Sequence, residues 1–131
     1  MREPSVLVVD DDAEILSVIE GMFGSVQIKV DCAISANEAL KWLQLKHYTT
    51  MITDLDMPGM DGLELAHKAR QISPTLYVVL FTGNTTRELS QSALTPETSD
   101  ISEIHAKPGG LRQMLRSILW RDYGRTFEMK E

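Results

Sequence analysis

Short apolar segments alternate with amphipathic segments along the chain. Val6–Val9 and residues 76–81 are uninterrupted apolar runs that contain β-branched residues, as is typical of strands covered on both faces of a sheet. Three less regular segments have the same character. The predicted strands are therefore 6–9, 26–33, 50–53, 76–81 and 100–106.

Between the predicted strands, apolar residues recur three or four positions apart, which indicates one buried face of a helix. Ser35 and Glu38 have the spacing of a capping box, in which each side chain can satisfy a free backbone amide of the first turn. Residues 85–88 repeat that spacing. The predicted N-caps are Asp12, Ser35, Asp61 and Thr85. The predicted helices begin near residues 13, 36, 62, 85 and 111.

This alternation of strand and helix predicts an α/β fold. Five β-α units favour a doubly wound, five-stranded parallel sheet with helices on both faces, in the flavodoxin-like strand order 2-1-3-4-5. Right-handed crossovers place the carboxyl ends of all parallel strands at one edge of the sheet. Ligands of such sheets bind at that edge, so the side chains that follow the strands are the candidates for function.

Composition narrows the class of protein. With 131 residues and 43% hydrophobic residues, the chain predicts one domain whose core needs no disulfide. Thirteen basic and 19 acidic residues give a net charge of −6, which disfavours binding to nucleic acid or to an anionic membrane. The lone Cys32 fits a reducing compartment, and no apolar run approaches the length of a membrane span. We expect a soluble cytoplasmic domain.

Charged and hydroxyl side chains follow four of the five predicted strands. Asp10 and Asp11 follow the first, Asp54 the third, Thr82 the fourth and Lys107 the fifth. In the order 2-1-3-4-5 the first and third strands are neighbours at about 4.8 Å, so the three carboxylates are expected to crowd together. Two like charges about 4 Å apart repel by roughly 4 kcal/mol at an effective dielectric constant near 20. Such a cluster requires a counter-ion or a raised pKa.

Two cations could relieve this repulsion. Lys107 lies two strands from Asp54 and has a long side chain. A divalent metal is the other candidate, and a site of carboxylates with room for water suits Mg²⁺ better than zinc. Plainer interpretations stay open for some of these residues, since Asp56 could be a turn former, Thr82 a capping hydroxyl and Lys107 a solvated lysine.

Taken together, these residues resemble a known family. An apolar strand followed by Val-Val-Asp-Asp, then Asp54 to Gly62 (Asp-Leu-Asp-Met-Pro-Gly-Met-Asp-Gly), a strand ending in Thr82 and a Lys107-Pro108 pair are similar to the CheY-like receiver domain of bacterial two-component response regulators. The resemblance covers about residues 4–120. It implies a receiver domain over 1–122 and a C-terminal tail, or the start of a linker, over 123–131.

The resemblance also implies roles for the acidic residues. Asp54 matches the phosphoacceptor of the family. Asp10 and Asp11 match the acid pair that holds Mg²⁺, together with the Asp54 carboxylate and the backbone carbonyl of Asp56. A phosphoryl group would pass from a sensor histidine kinase or a phosphotransfer protein to Asp54, giving an aspartyl phosphate.

The remaining family positions concern the response to phosphorylation. Thr82 matches the switch hydroxyl, and Lys107 matches the lysine that pairs with the phosphoryl group, with a cis peptide expected before Pro108. Asp56 and Asn84 occupy positions where family members tune the lifetime of the phosphoryl group.

The implied output is a change in the face formed by the fourth helix, the fifth strand and the last helix, which would contact a downstream effector protein or domain. That face could also form a homodimer. The chain would then be a signalling phosphoacceptor and not an enzyme acting on a separate substrate, although it would promote its own phosphorylation and autodephosphorylation.

The output half departs from the family pattern. Ile104 stands where the family usually has Tyr or Phe, as the second part of the switch. Gly83 replaces a frequent Ala, Gly109 replaces a large apolar residue, and about three extra residues lie within 94–100.

Two other classes of protein share some of these features. A receiver-like interaction module that is not phosphorylated would have the same fold but would not need the full set of acids, threonine and lysine. Phosphatases of the haloacid-dehalogenase type also form an aspartyl phosphate near Asp54-Leu-Asp56, but Pro58 departs from their motif and 131 residues leave little room for their cap domain.

Overall fold

The computed structural model describes residues 4–83 and 100–124. The strands are β1 Val6–Val9, β2 Asp31–Ala33, β3 Thr50–Thr53, β4 Tyr77–Thr82 and β5 Glu103–Ala106, and the helices are α1 Ala13–Gly24, α2 Ala36–Leu45, α3 Gly62–Ile72 and α4 Leu111–Tyr123. The predicted fourth helix near residues 85–88, Asn84 and the extra residues before Asp100 lie outside the described residues, as does the tail beyond Gly124.

All five strands form one parallel sheet in the order β2-β1-β3-β4-β5, which confirms the predicted topology. Val9 pairs with Thr53 across β1 and β3. Thr82 pairs with Ala106 across β4 and β5. These pairs bring the residues that follow β1, β3 and β5 to the same edge of the sheet.

A hydrophobic layer covers each face of the sheet. The layer beneath α1 and α4 is built on buried residues that include Val8, Ile19, Phe23, Ile52, Val79, Met114 and Ile118. The layer beneath α2 and α3 includes Leu7, Ala39, Leu43, Met51, Leu65, Ala69 and Val78. Because both faces are buried, β1 is apolar along its whole length and β4 is apolar from Val78 to Phe81.

The helix starts follow the predicted capping pattern. Asp12 accepts a hydrogen bond from the Glu14 amide at the start of α1, and Ser35 accepts one from the Glu38 amide at the start of α2. Asp61 caps α3 in the same way. Each of these side chains satisfies a backbone donor that has no partner inside its helix.

The second strand is shorter than predicted. Residues 26 and 27 belong to the turn that ends α1, and residues 28–30 have no regular structure. Gln27 has a φ of 65°, and Ile28 donates a backbone hydrogen bond to the Phe23 carbonyl. Only Asp31–Ala33 pair with β1, so this edge strand has three residues. The Asp31 carboxylate accepts hydrogen bonds from Lys46 at 2.8 Å and Tyr48 at 2.7 Å.

The fifth strand also begins later than predicted, at Glu103 in place of Asp100. Asp100 lies instead in a turn, where its carboxylate contacts His67 Nδ1 of α3 at 3.1 Å. None of the helices within residues 4–83 and 100–124 combines the length and the apolar composition that a membrane span requires.

A polar network lies at the amino end of the sheet, opposite the functional edge. The Glu103 carboxylate at the start of β5 accepts a hydrogen bond from the Tyr77 hydroxyl of β4, contacts His105 Nε2 at 2.7 Å, and accepts one from the Ser117 hydroxyl of α4 at 2.9 Å. These contacts join β4, β5 and α4 through one carboxylate.

The end of α4 is joined to the sheet in a similar way. The Arg121 guanidinium stacks over the Tyr77 ring, with 3.4 Å between the guanidinium carbon and the ring centroid. Arg121 also donates to the Thr50 hydroxyl and pairs with Asp122 at 2.7 Å. The Thr50 hydroxyl in turn donates to the Asp122 carboxylate.

Glu103 gives this network a dependence on pH. Burial raises the pKa of Glu103, but the hydrogen bonds to Tyr77, His105 and Ser117 outweigh burial and hold the pKa below its ordinary value of 4.5. A carboxylate with a lowered pKa stabilises the folded protein above its unfolded pKa, and this contribution is lost as the pH falls through the folded pKa.

Glu103→Gln replaces this carboxylate with a neutral group of similar shape. We expect the natural protein to have a higher free energy of unfolding than Glu103→Gln at neutral pH, and the difference to shrink as the pH falls below 4.5. Urea unfolding across that range measures the difference. Glu64→Gln, at a carboxylate that is 58% exposed, is the control for the same substitution at the surface. A difference that grows on acidification would contradict the lowered pKa.

Candidate functional site

Three carboxylates meet at the carboxyl edge of the sheet. The Asp10 amide donates to the Ala33 carbonyl at 3.1 Å and the Asp54 amide donates to the Val9 carbonyl at 3.0 Å, so both residues extend the strand pairing by one position. Asp10, Asp11 and Asp54 each offer a carboxylate oxygen, and these oxygens lie within 4.8 Å of one another. The convergence predicted from strand order is therefore present in the structure.

The three carboxylates differ in exposure. Asp10 is 2% exposed and Asp54 is 8% exposed, whereas Asp11 is exposed to solvent. Asp10 also accepts a hydrogen bond from the Asp12 amide at 2.9 Å, which fixes one of its oxygens. The cluster therefore has two fixed, buried carboxylates and one accessible carboxylate at its mouth. The Asp56 side chain is exposed as well.

Lys107 joins the two buried carboxylates. Its ammonium nitrogen lies 2.6 Å from Asp10 Oδ2 and 3.2 Å from Asp54 Oδ2. The same nitrogen is 5.9 Å from the centroid of the Phe81 ring. The Lys107 amide donates to the Thr82 carbonyl at 3.0 Å, and the peptide before Pro108 is cis, as expected.

One lysine does not fully compensate the buried acids. Burial raises the pKa of Asp10 above its ordinary value of 3.8, and the contacts of Asp10 with Lys107 and the Asp12 amide offset only part of that effect. For Lys107, burial lowers the pKa, but the hydrogen bond to Asp10 and the charges of Asp10 and Asp54 outweigh it and raise the pKa. Three carboxylates and one lysine meet at this site, so negative groups outnumber positive ones and a second cation would be stabilised there.

The backbone around Asp54 is held closely. The Leu55 amide donates to Asp54 Oδ1 at 2.8 Å, and the Thr53 hydroxyl donates to the Asp54 carbonyl oxygen at 2.9 Å. Gly62 packs against the same carbonyl, since a Cβ atom at Gly62 would lie 2.1 Å from the oxygen. The sequence predicts Gly62 only as part of a motif and predicts no role for Thr53 or Leu55.

The predicted switch residues lie on β4 and β5, next to the strand that leads to Asp54. Thr82 ends β4 and is 1% exposed. Ile104 pairs with Leu80 across β4 and β5 and packs, partly buried, in an aliphatic cluster with Leu55 and Leu80. The position where the family usually has an aromatic residue is thus filled by an aliphatic side chain inside a small apolar cluster. Asn84 lies outside the described residues.

Lys107→Met tests the electrostatic role of the lysine in metal-free protein. Without the ammonium group, Asp10 and Asp54 lose their common partner, and we expect the free energy of unfolding at neutral pH to fall by about 3 kcal/mol. In an Asp10→Asn background, Lys107→Met should lower the free energy of unfolding by less than half as much, because one of the two carboxylates is then already neutral. Urea unfolding with a metal chelator present measures both losses.

Lys68→Met is the matched control for this cycle. Lys68 is 48% exposed and lies 3.9 Å from Glu64, so its loss should cost less than about 0.5 kcal/mol. Equal losses for Lys107→Met in the two backgrounds would show that Lys107 acts independently of Asp10.

Comparisons with known proteins agree with this geometry. A family model described as the response regulator receiver domain matches residues 6–118. The C4-dicarboxylate transport transcriptional regulatory protein DctD of Rhizobium meliloti is 36% identical over 81 residues, which cover 62% of this chain and 18% of that protein. The DNA-binding transcriptional regulator NtrC of Salmonella typhimurium is 33% identical over 93 residues, which cover 71% of this chain and 20% of that protein. The chain thus spans about a fifth of the length of these relatives.

Solved structures show the same architecture. The crystal structure of a CheY-like response regulator receiver domain protein from Methanospirillum hungatei JF-1 matches with a TM-score of 0.81 and 25% identity, covering 94% of this chain and 96% of that one. The family model matches most of the chain, and the acids and the lysine that carried the resemblance lie together at one edge of the sheet. Thr82 ends β4, and its carbonyl accepts the Lys107 amide. This chain therefore belongs to the response regulator receiver domain family.

Proposed function

We propose that this chain is a phosphoacceptor that receives a phosphoryl group on Asp54 from a sensor histidine kinase or a phosphotransfer protein. As a receiver domain, the chain is a signalling protein and not an enzyme acting on a separate substrate. The observation that carries the proposal is the position of the Asp54 carboxylate, whose Oδ2 lies 3.2 Å from Lys107 Nζ and which shares a cluster with Asp10 and Asp11.

The residues of this cluster fit Mg²⁺. The available ligands are all oxygens, supplied by the Asp10, Asp11 and Asp54 carboxylates, and in the family pattern by the backbone carbonyl of Asp56 as well. The exposed Asp11 leaves access for the ion and for water ligands, which Mg²⁺ usually retains. When bound, the ion neutralises negative charge on the oxygens of the transferring phosphoryl group.

The two oxygens of Asp54 have different surroundings. Oδ1 accepts the Leu55 amide, whereas Oδ2 faces the Lys107 ammonium group. We assign nucleophilic attack to Oδ2. A lone pair of Oδ2 forms the new bond to phosphorus, and the bond from phosphorus to the donor histidine nitrogen breaks, leaving its electron pair on the imidazole. Lys107 is placed to pair with the phosphoryl oxygens that arrive beside it.

The proposed switch uses the neighbouring strands. Thr82 at the end of β4 would turn its hydroxyl toward the phosphoryl group, while Lys107 transfers a contact from Asp10 to the same group. Both motions act on β4 and β5, which pair through Thr82 and Ala106. The Ile104 side chain, packed on Leu80, takes the place of the usual aromatic partner in this response.

The proposed output surface includes β5, the last helix α4, and the helix predicted to begin near residue 85, which lies outside the described residues. A downstream effector protein or domain would bind there, and a homodimer through the same face is an alternative use of it.

We place the receiver domain at residues 1–122 and treat 123–131 as a tail or linker, and we place the phosphoryl exchange in the cytoplasm. The acidic net charge of −6 is the reason we expect no direct binding of this chain to nucleic acid.

Phosphorylation by acetyl phosphate tests the proposal. With Mg²⁺ present, the intact protein should gain the mass of one phosphoryl group, whereas Asp54→Ala should gain none. A chelator should abolish the labelling, because Asp10 and Asp11 would lack their metal. Asp61→Asn, which removes a helix-cap carboxylate from the same loop, is the matched control and should be labelled normally. Intact-protein mass spectrometry measures every arm.

Three results would contradict specific parts of the proposal. Labelling that persists without divalent metal would remove the assigned role of Asp10 and Asp11. A natural protein that takes no phosphoryl group would be an interaction module that does not use phosphorylation. Repeated turnover of a phosphomonoester would instead indicate a phosphatase.

Asp56 and Asn84 are proposed to set the lifetime of the aspartyl phosphate. Each follows a proposed site residue by two positions, namely Asp54 and Thr82. We expect Asp56→Ala and Asn84→Ala to change the rate constant of dephosphorylation by about fivefold, the equivalent of about 1 kcal/mol in the barrier. Loss of the label after removal of acetyl phosphate measures this rate. Decay at the natural rate in both variants would leave the two residues without this role.

A further inference from the structure

Thr53 is a buried polar residue whose hydroxyl is directed at the phosphoacceptor. It is the last residue of β3 and is 0% exposed, and its hydroxyl donates to the Asp54 carbonyl oxygen at 2.9 Å. A buried hydroxyl costs free energy unless it is hydrogen-bonded, and Val would be the ordinary apolar choice at such a strand position. The hydroxyl therefore calls for an explanation beyond packing.

Asp54 and Leu55 share the peptide group that this hydroxyl contacts. In a trans peptide the carbonyl and the amide are fixed in one plane and point in opposite directions, so holding the carbonyl also holds the amide. That amide is the Leu55 donor to Asp54 Oδ1, at 2.8 Å. Gly62 packs against the carbonyl from another side and restricts the same peptide.

We propose that Thr53 is a positioning residue for phosphorylation, acting on the Asp54 carboxylate through this peptide group. The Thr53 hydroxyl fixes the peptide, the peptide fixes Oδ1, and Oδ2 is thereby presented toward Lys107 and the incoming phosphorus. This inference rests on the proposed function, because it assigns a role in the reaction at Asp54. Without the hydroxyl, the peptide and the carboxylate gain rotational freedom, and fewer encounters have the geometry needed for attack.

Thr50 provides an internal comparison within the same strand. It too is 0% exposed, but its hydroxyl lies at the opposite end of β3, where it donates to Asp122 and accepts from Arg121. Thr50→Val and Thr53→Val thus remove the same group from the same strand. Only the second removes a contact to the phosphoacceptor.

The kinetic test uses acetyl phosphate and Mg²⁺. In this reaction a lone pair of Asp54 Oδ2 forms the bond to phosphorus, and the phosphorus–oxygen bond to the acetyl group breaks, releasing acetate with its electron pair. We expect Thr53→Val to lower the rate constant at saturating acetyl phosphate by roughly five- to tenfold, with little change in the half-saturating concentration. Thr53→Ser, which keeps the hydroxyl, should restore the rate to within about twofold. Thr50→Val should react at the natural rate while being less stable to urea.

A second measurement needs no phosphoryl transfer. In metal-free protein, the NMR resonance of the Leu55 amide proton should move upfield in Thr53→Val, since its hydrogen bond to Asp54 Oδ1 is weakened, and should stay in place in Thr53→Ser and Thr50→Val. If Thr53→Val does not fold, Thr53→Ala removes the same hydroxyl without adding an apolar group and takes its place in both measurements.

The outcomes separate this inference from the function on which it rests. The inference is supported if Thr53→Val reacts slowly and its Leu55 amide resonance is shifted, while the natural protein and Thr50→Val react at the normal rate. A Thr53→Val protein that reacts at the natural rate would overturn the inference and leave the proposed function intact. Equal slowing of Thr50→Val and Thr53→Val would also overturn it, because the effect would then follow stability. Natural protein that takes no phosphoryl group would overturn both.

Discussion

The contact of one lysine with two buried carboxylates organises the functional edge of this protein. Lys107 reaches back from the end of β5 to Asp10 after β1 and Asp54 after β3, so three strands meet at one ammonium group. The positive charge of Lys107 does not balance the three carboxylates of the site, Asp10, Asp11 and Asp54. A site with this excess of negative charge favours a second cation. A phosphoryl group arriving there would compete with Asp10 and Asp54 for the same lysine.

The strand that carries this lysine is held at both ends. Glu103 at its start binds side chains of β4 and α4, while Lys107 directly after its end binds the carboxylates. Ile104 lies between them in the aliphatic cluster with Leu80. A shift of β5 at the phosphoacceptor edge therefore acts on a strand whose other end is bonded to α4, which gives changes at Asp54 a direct structural connection to that helix.

Much of the fold and the site could be predicted from the sequence because local patterns and topology agree. Apolar runs marked the central strands, and the acids and the lysine that followed them had to meet once the strand order was set. The prediction of a strand over residues 26–30 is wrong. Their partial alternation of apolar and polar residues is typical of a strand, yet Gln27 adopts a positive φ in the turn after α1. The contact of Thr53 with the Asp54 carbonyl could not be predicted, since it depends on the direction of a single peptide group.

The brevity of β2 has a consequence for how this protein meets others. A parallel sheet leaves an open border at each outer strand, and unpaired backbone groups there can recruit a foreign strand and start aggregation. On the β2 side only Asp31–Ala33 form that border, and the side chain of Lys46 binds Asp31 beside it. So short a border offers few backbone groups for the addition of a foreign strand, so association at this edge of the sheet would have to use side chains.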